Sequence, residues 1–183
     1  MSADIISFLE ARGRRVWQGI EADDPPSARF DYPDLLAMAE TMLTARERRF
    51  PALIRAGELS AEAAAAELAT FNHLVADWQW IVSGIGRHAP LHTLQARRDA
   101  LDRSLATIAD IARDGGGFSP DLATRAERVI AMRWHLEPGR RTHHLAAIGH
   151  DHRASLRCAS HSSLRGAAGD EAIQPPVQEP AHA

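Results

Sequence analysis

The pattern of apolar and polar residues is most regular between Ser60 and Ser83, where apolar side chains recur every three or four positions. That spacing is typical of an amphipathic α-helix, because it places the side chains on one stripe of the helix surface. The stripe consists of Ala64, Leu68, Phe71, Val75, Trp78 and Val82, widened by Leu74 and Ile81. We predict that this is the central helix of the core and that Phe71 and Trp78 are buried.

One large aromatic residue of this helix falls outside the stripe. Successive residues of a helix turn by about 100 degrees, which places Trp80 on the opposite side, beside His73 and Asp77. An exposed Trp next to Ile81 favours association, so Trp80 requires a second surface to cover it. We expect cover from residues 5–20, from a second copy of the chain or from a partner protein. Trp80 with His73 is therefore a candidate interaction surface.

Three further long helices are predicted from their start and stop signals. The first begins near Pro33, whose fixed backbone angle suits a first helical turn, and Pro51 is expected to end or kink it. Another runs from Pro90 to the three glycines at positions 115–117. Ser119, followed by a proline and an aspartate, is the clearest helix start in the chain. Short connections between these helices favour antiparallel neighbours.

The domain organisation follows from these helices. We predict an all-α fold in which residues 32–137 form a bundle of four long helices with a proline-kinked connection. A weak N-terminal helix is expected over residues 1–22, followed by a proline-containing linker over residues 23–31. Residues 138–183 have no apolar period, so we expect a largely disordered tail that adds nothing to the core. No segment alternates well enough to predict a strand.

Composition limits the compartment and the partners. Of the 183 residues 45% are hydrophobic, which is enough for a core, and the single cysteine, Cys158, excludes an internal disulfide. No apolar run approaches the length that a membrane span requires. We therefore expect a soluble, cytoplasmic protein without a membrane partner. The net charge of −3 provides no general attraction for phosphate, so nucleic-acid binding is not supported by charge, although a local basic patch is not excluded.

A histidine and an aspartate on the central helix are the candidate catalytic pair. His73 and Asp77 are four residues apart, so their side chains can meet on one face. In an enzyme, Asp77 would orient His73 as a general base. The alternative is an exposed pair that contributes a few tenths of a kcal/mol, and we favour it because no nucleophile, metal motif or phosphate loop accompanies the pair.

Two arginines lie within apolar stripes and therefore require partners. Arg46 and Arg98 each occupy an otherwise apolar face of a predicted helix, and a buried guanidinium needs a carboxylate or carbonyl. Asp102 is a local candidate for Arg98, while Glu47, Asp77 or Glu127 could reach across helices. Either the arginines line a pocket for an anionic ligand, or they sit at the edge of the core in internal salt bridges. We favour the second interpretation.

Metal and cofactor chemistry is not predicted. Several potential ligands lie in the C-terminal segment, but their spacing matches no defined motif. They are His143, His144, His150, Asp151, His152, Cys158 and His161. We expect neither a metal site nor a cofactor.

One short segment carries a family resemblance. Residues 49–66, RFPALIRAGELSAEAAAA, combine an arginine, an aromatic residue, a proline, leucines and a glycine with a helix rich in alanine and glutamate. This segment resembles small uncharacterised phage- and prophage-type helical proteins, and the resemblance implies no particular activity. The leading hypothesis is a non-enzymatic, phage-type accessory or protein-interaction module. The alternatives are a nucleic-acid-associated helical protein and a small helical enzyme that uses His73 and Asp77.

Overall fold

The computed structural model describes the backbone of residues 13–167 and the side chains of residues 13–157. This part of the chain is mostly helical, which confirms the predicted all-α fold with four long bundle helices. The elements are β1 Gly13–Trp17, β2 Ile20–Asp24, α1 Tyr32–Arg55, α2 Ala61–Ser83, α3 Leu94–Asp114, α4 Pro120–His135 and α5 Thr142–Ala167. Short 3-10 turns at Ser27–Phe30 and Leu91–Thr93 precede α1 and α3.

A β-hairpin stands where the sequence predicts part of a weak N-terminal helix. Strands β1 and β2 pair antiparallel, with Gly13 opposite Asp24 and Trp17 opposite Ile20. The two-residue turn has φ angles of 48° at Gln18 and 87° at Gly19, the mirror-image geometry that suits the twist of a hairpin. The helix prediction for residues 1–22 is therefore wrong over residues 13–22, and residues 1–12 lie outside the described part.

The hairpin is anchored by its tryptophan. Trp17 and Ile20 are buried on the side that faces the bundle. The guanidinium carbon of Arg15 lies 3.8 Å from the centroid of the Trp17 ring, and the same arginine pairs with Glu137 at 2.7 Å. Burial of a tryptophan under a paired arginine fixes a two-stranded hairpin that would be marginal alone.

The first two bundle helices have local signals at their ends. Helix α1 continues through Pro51 to Arg55. Helix α2 begins after Ser60, whose Oγ accepts a hydrogen bond from the backbone N–H of Ala63 at 3.1 Å. It ends at Gly84, whose φ of 74° is the left-handed conformation that closes many helices.

Helices α3 and α4 complete the bundle. Ser119 caps α4 by accepting a hydrogen bond from the N–H of Leu122 at 3.2 Å, as its sequence signal indicates. Helices α1 and α3 lie diagonally, and each packs against both α2 and α4. Phe71 and Trp78 are buried in the shared core, which confirms the prediction for the central helix. Other members of this core are Leu35, Leu74, Leu101, Leu105, Val129 and Ile130.

The C-terminal segment contains a fifth long helix. Residues 142–167 form α5, which packs against α2. The expectation of a disordered segment is therefore wrong over this range, and residues 168–183 lie outside the described part. The prediction failed because α5 contacts the bundle mainly through histidines and small residues, which a search for an apolar period does not detect.

Candidate functional site

The densest group of potentially functional side chains lies where α5 crosses α2. Trp80 is half-buried, and among the described residues its cover comes from α5 and the loop after α2, neither of which we had expected: three histidines surround its ring. The ring centroids of His88 and His150 lie 5.3 Å from Trp80 in edge-on arrangements, and that of His143 lies 5.9 Å away and nearly parallel. Such ring pairs add stabilisation beyond the area they bury. We call these four residues the Trp80 cluster.

His150 fixes the end of α2 to α5. Its Nε2 lies 2.8 Å from the backbone carbonyl oxygen of Trp80, and because a carbonyl only accepts, Nε2 carries the proton. Its Nδ1 faces the guanidinium of Arg153. A Cβ atom at Gly84 would lie 2.9 Å from Nδ1 of His150, so the glycine also allows the close approach of the two helices.

A buried carboxylate lies directly beneath the cluster. Asp77 is only 1% exposed, and its Oδ2 forms an ion pair with Nη1 of Arg97, which is 2% exposed. Its Oδ1 accepts a hydrogen bond from the backbone N–H of Ala89 at 2.7 Å. The Nε2 of His143 lies 3.1 Å from the same oxygen. The carboxylate therefore connects α2 with the α2–α3 loop, with α3 and with α5.

The environment keeps Asp77 ionised. Burial by itself raises the pKa of a carboxyl group, because the charged form loses its hydration. The hydrogen bond with His143, the positive charge of Arg97 and the N–H of Ala89 outweigh burial, so the pKa of Asp77 lies below its ordinary value. Asp77 is a charged structural anchor at neutral pH.

The structure does not join the predicted catalytic pair. Asp77 points into the bundle, and its hydrogen bonds and ion pairs within the described part do not include His73. His73 is half-buried. The sequence therefore identified the relevant carboxylate but associated it with a histidine of its own helix. The histidine that meets it, His143, belongs to the segment that we expected to be disordered.

Sequence reasoning did not place the histidines of the cluster beside Trp80, and it named His143 and His150 only as potential metal ligands. His143 and His150 are seven residues apart with Ala146 between them, a helical spacing that places all three on the face toward α2. That spacing was the available signal. His88 lies on the loop after α2, where no periodic pattern applies.

Arg46 is engaged within the bundle. Its guanidinium carbon lies 3.5 Å from the centroid of the Phe71 ring, and its Nε donates to Glu67 at 2.8 Å. The remaining nitrogens donate to the Met42 carbonyl at 3.0 Å and to the Ser104 hydroxyl at 3.1 Å. Burial lowers the pKa of this guanidinium and Glu67 opposes that shift. Arg46 is an internally paired arginine, with a partner that the sequence analysis had not considered.

Arg98 stabilises the end of another helix. Its Nε donates to the carbonyl oxygen of Leu136 at 2.7 Å, and its Nη2 also donates to this oxygen. Leu136 follows the last residue of α4, where carbonyl groups lack partners within the helix and a positive charge is favourable. Asp102, the expected partner of Arg98, instead accepts hydrogen bonds from Arg133 at 3.0 and 3.1 Å.

A buried histidine lies against Trp78, with the two ring centroids 5.3 Å apart. The Nε2 of His135 donates to the Arg29 carbonyl at 2.6 Å, and its Nδ1 accepts from the Thr142 hydroxyl at 2.7 Å. Burial is the main reason why the pKa of His135 falls to about 4. His135 is therefore neutral at physiological pH and holds the start of α5 against the core.

The chemistry available to the Trp80 cluster is limited. His143 is oriented by a buried carboxylate, as a general base requires. Two grooves, of about 560 and 470 Å³, lie elsewhere, between the hairpin and α4 and between α1 and α3. Among the described side chains, no group of three His, Cys, Asp or Glu residues is placed to hold a metal ion. The geometry favours a structural contact between α2 and α5 over a substrate site.

Comparisons with protein-family models, with curated proteins and with solved structures found no match for this chain. None of the helices in the described ranges is long and apolar enough to cross a membrane.

Proposed function

We propose that this protein is a non-enzymatic protein-interaction module that associates through the outer face of α5. The observation that carries this proposal is the two-sided character of the helix. His143 and His150 face α2, whereas Leu145 and Ile148, on the opposite side, are 57% and 52% exposed. Large apolar side chains that remain exposed on one side of a docked helix are typical of a binding surface.

The proposed partner is a second copy of this chain. Leu145 and Ile148 are three residues apart, a spacing suited to helix-on-helix packing. Helix α5 has 26 residues and is therefore about 39 Å long, so two copies could align over several turns. A symmetric contact covers both apolar faces at once. Because few large apolar residues contribute, we expect a weak dimer rather than an obligate one.

Ion pairing argues against the nucleic-acid alternative. Many arginines in the described part are already paired with carboxylates, which leaves less positive charge for phosphates. These pairs include Arg14 with Glu21, Arg15 with Glu137, Arg46 with Glu67, Arg97 with Asp77, Arg128 with Asp34 and Arg133 with Asp102. The enzyme alternative is weakened because His73 and Asp77 are not joined. The phage-type identity and the cytoplasmic location stay predictions from the sequence.

Sedimentation velocity of the full chain tests the proposal. From about 10 to about 300 µM, the range suited to a weak interface, the wild-type protein should shift from monomer toward dimer. The double variant Leu145→Glu, Ile148→Glu should remain monomeric, because charges on both faces oppose the contact. Its melting temperature should be nearly unchanged, since both side chains are exposed.

A matched control distinguishes a contact through the outer face of α5 from association through exposed apolar residues in general. Val16 and Phe30 are exposed apolar residues outside α5, so the double variant Val16→Glu, Phe30→Glu should dimerise as the wild type does. A wild-type protein that stays monomeric throughout, or an α5 variant that dimerises normally, would contradict the proposal.

A further inference from the structure

A groove between α1 and α3 is the second feature of the structure that suggests binding. It has a volume of about 470 Å³, within the range of small-molecule sites. Helices α1 and α3 lie diagonally in the bundle, and side chains of α2 and α4 also line the groove. Apolar side chains form most of its lining, and they include Met38, Met42, Phe50, Leu53, Ile108 and Val129. We call it the α1–α3 groove.

One arginine at the base of the groove is held by neighbouring side chains, whereas two arginines at its edge are exposed. Arg46 is fixed there by Phe71, Glu67 and Ser104. Arg49 and Arg125 also line the groove and are exposed. Within the described ranges, neither forms an ion pair or a side-chain hydrogen bond.

The charge of the groove favours an anion. Glu67 is the only acidic residue of its lining among those that the structure describes. That carboxylate already pairs with Arg46 at 2.8 Å and lies 3.9 Å from Arg103. The arginines of the rim therefore face an apolar cavity without a compensating carboxylate. Charge-assisted contacts between arginine and a carboxylate are strong and directional.

We propose that the α1–α3 groove binds an amphiphilic carboxylate, with the head group at Arg49 and Arg125 and a medium-length alkyl chain on the apolar lining. The flexible thioethers of Met38 and Met42 suit an alkyl chain, because methionine adapts to ligands of irregular shape. This site lies on α1, α3 and α4 and is independent of the outer face of α5. Failure of either proposal therefore leaves the other intact.

Decanoate below its micellar concentration is the probe for the full chain. Titration calorimetry gives the affinity, and NMR of methionine methyl groups locates the ligand through shifts at Met38 and Met42. Decanol and decyltrimethylammonium carry the same chain with no charge and with the opposite charge. Decanoate should bind about tenfold more tightly than decanol, and decyltrimethylammonium should bind least.

Variants assign the head-group contact and the chain contact separately. Arg49→Gln with Arg125→Gln should weaken decanoate binding about tenfold and leave decanol binding unchanged. The control Arg48→Gln with Arg87→Gln removes the same charge from exposed arginines outside the groove and should have no such effect. Ala45→Trp, at an exposed position of the lining, should block all ligands.

Three results would overturn the proposal. The first is the absence of decanoate binding to the correctly folded full chain. The second is equal affinity for decanoate and decanol. The third is undiminished binding to Ala45→Trp, which would place the ligand elsewhere. Thermal melting of each variant confirms that it is folded.

Discussion

The ion pair between Asp77 and Arg97 provides the sharpest test of how this bundle is held together. Both side chains are almost fully buried, at 1% and 2% exposure. Asp77→Ala would leave the guanidinium of Arg97 inside the protein without its carboxylate. Removing one member of such a pair typically costs about 3 to 5 kcal/mol. Among the described residues, no atom accepts a hydrogen bond from the Nε of Arg97, so little local compensation is available.

Replacing both members shows whether the loss of stability comes from an unpaired buried charge or from the lost attraction between the two charges. In Asp77→Leu with Arg97→Met, no charge remains in the interior and the side chains retain much of their volume. Apolar replacements of buried ion pairs are often close to neutral in stability. We expect the double variant to recover most of the loss, except for about 1 to 3 kcal/mol because the N–H of Ala89 loses its acceptor. A double-mutant cycle with the single variants Asp77→Leu and Arg97→Met gives the coupling energy.

Urea unfolding, followed by far-ultraviolet circular dichroism and by tryptophan fluorescence, measures these free energies. The control is the exposed pair of Asp110 and Arg113, where Asp110→Ala should change stability by less than about 0.5 kcal/mol. The reasoning would be refuted if Asp77→Ala cost less than about 1 kcal/mol. It would also fail if the double variant lost as much as both single variants combined.

Three further perturbations test other parts of the fold. Phe71→Ala should cost about 3 to 5 kcal/mol in urea unfolding, because it opens a cavity at a fully buried site; a loss below about 1 kcal/mol would place the core elsewhere. The pKa of His135 is about 4 in the folded protein and 6.5 ordinarily. As the pH drops from about 6.5 to about 4, the unfolded chain binds a proton at His135 that the folded protein does not bind, so stability falls. The loss approaches about 3 kcal/mol, and His135→Gln should flatten the measured pH dependence; an unchanged slope would show that other groups cause it. Truncation after Glu137 should lower the melting temperature by several degrees, because it removes the partners of Trp80 and His135 that lie on α5; an unchanged transition would mean that α5 contributes nothing to stability.

The long helices could be predicted because their signals are local. Ser60 and Ser119 cap helices in the structure through hydrogen bonds that reach only three residues along the chain. The hairpin has a weaker signal. Its turn requires positive φ angles at Gln18 and Gly19, and only the glycine favours them, while each strand contributes one buried large apolar residue, Trp17 or Ile20.

The candidate site could be predicted only in part, because its contacts join distant segments. Asp77 and Trp80 were recognised, but helical spacing relates a residue only to neighbours on its own helix. It therefore suggested His73, whereas the observed contact with His143 spans 66 positions of the chain. We predicted that Arg98 lies within the apolar face of α3, whereas the structure buries the preceding residue. Arg97 is the buried residue, and the half-buried Arg98 reaches the end of α4.

The contacts of Asp77 beneath Trp80 connect the stability of the bundle to the proposed association. Arg97 and Ala89 hold the carboxylate of Asp77 within the bundle, whereas His143 meets it from a half-exposed position on α5. Contacts at exposed positions contribute less than buried ones, because water and salt screen them. The contact that His143 makes from α5 is therefore weaker than the buried ion pair of Asp77 and Arg97. Because the same helix presents Leu145 and Ile148 outward, the inner contacts determine how firmly the proposed binding face is held.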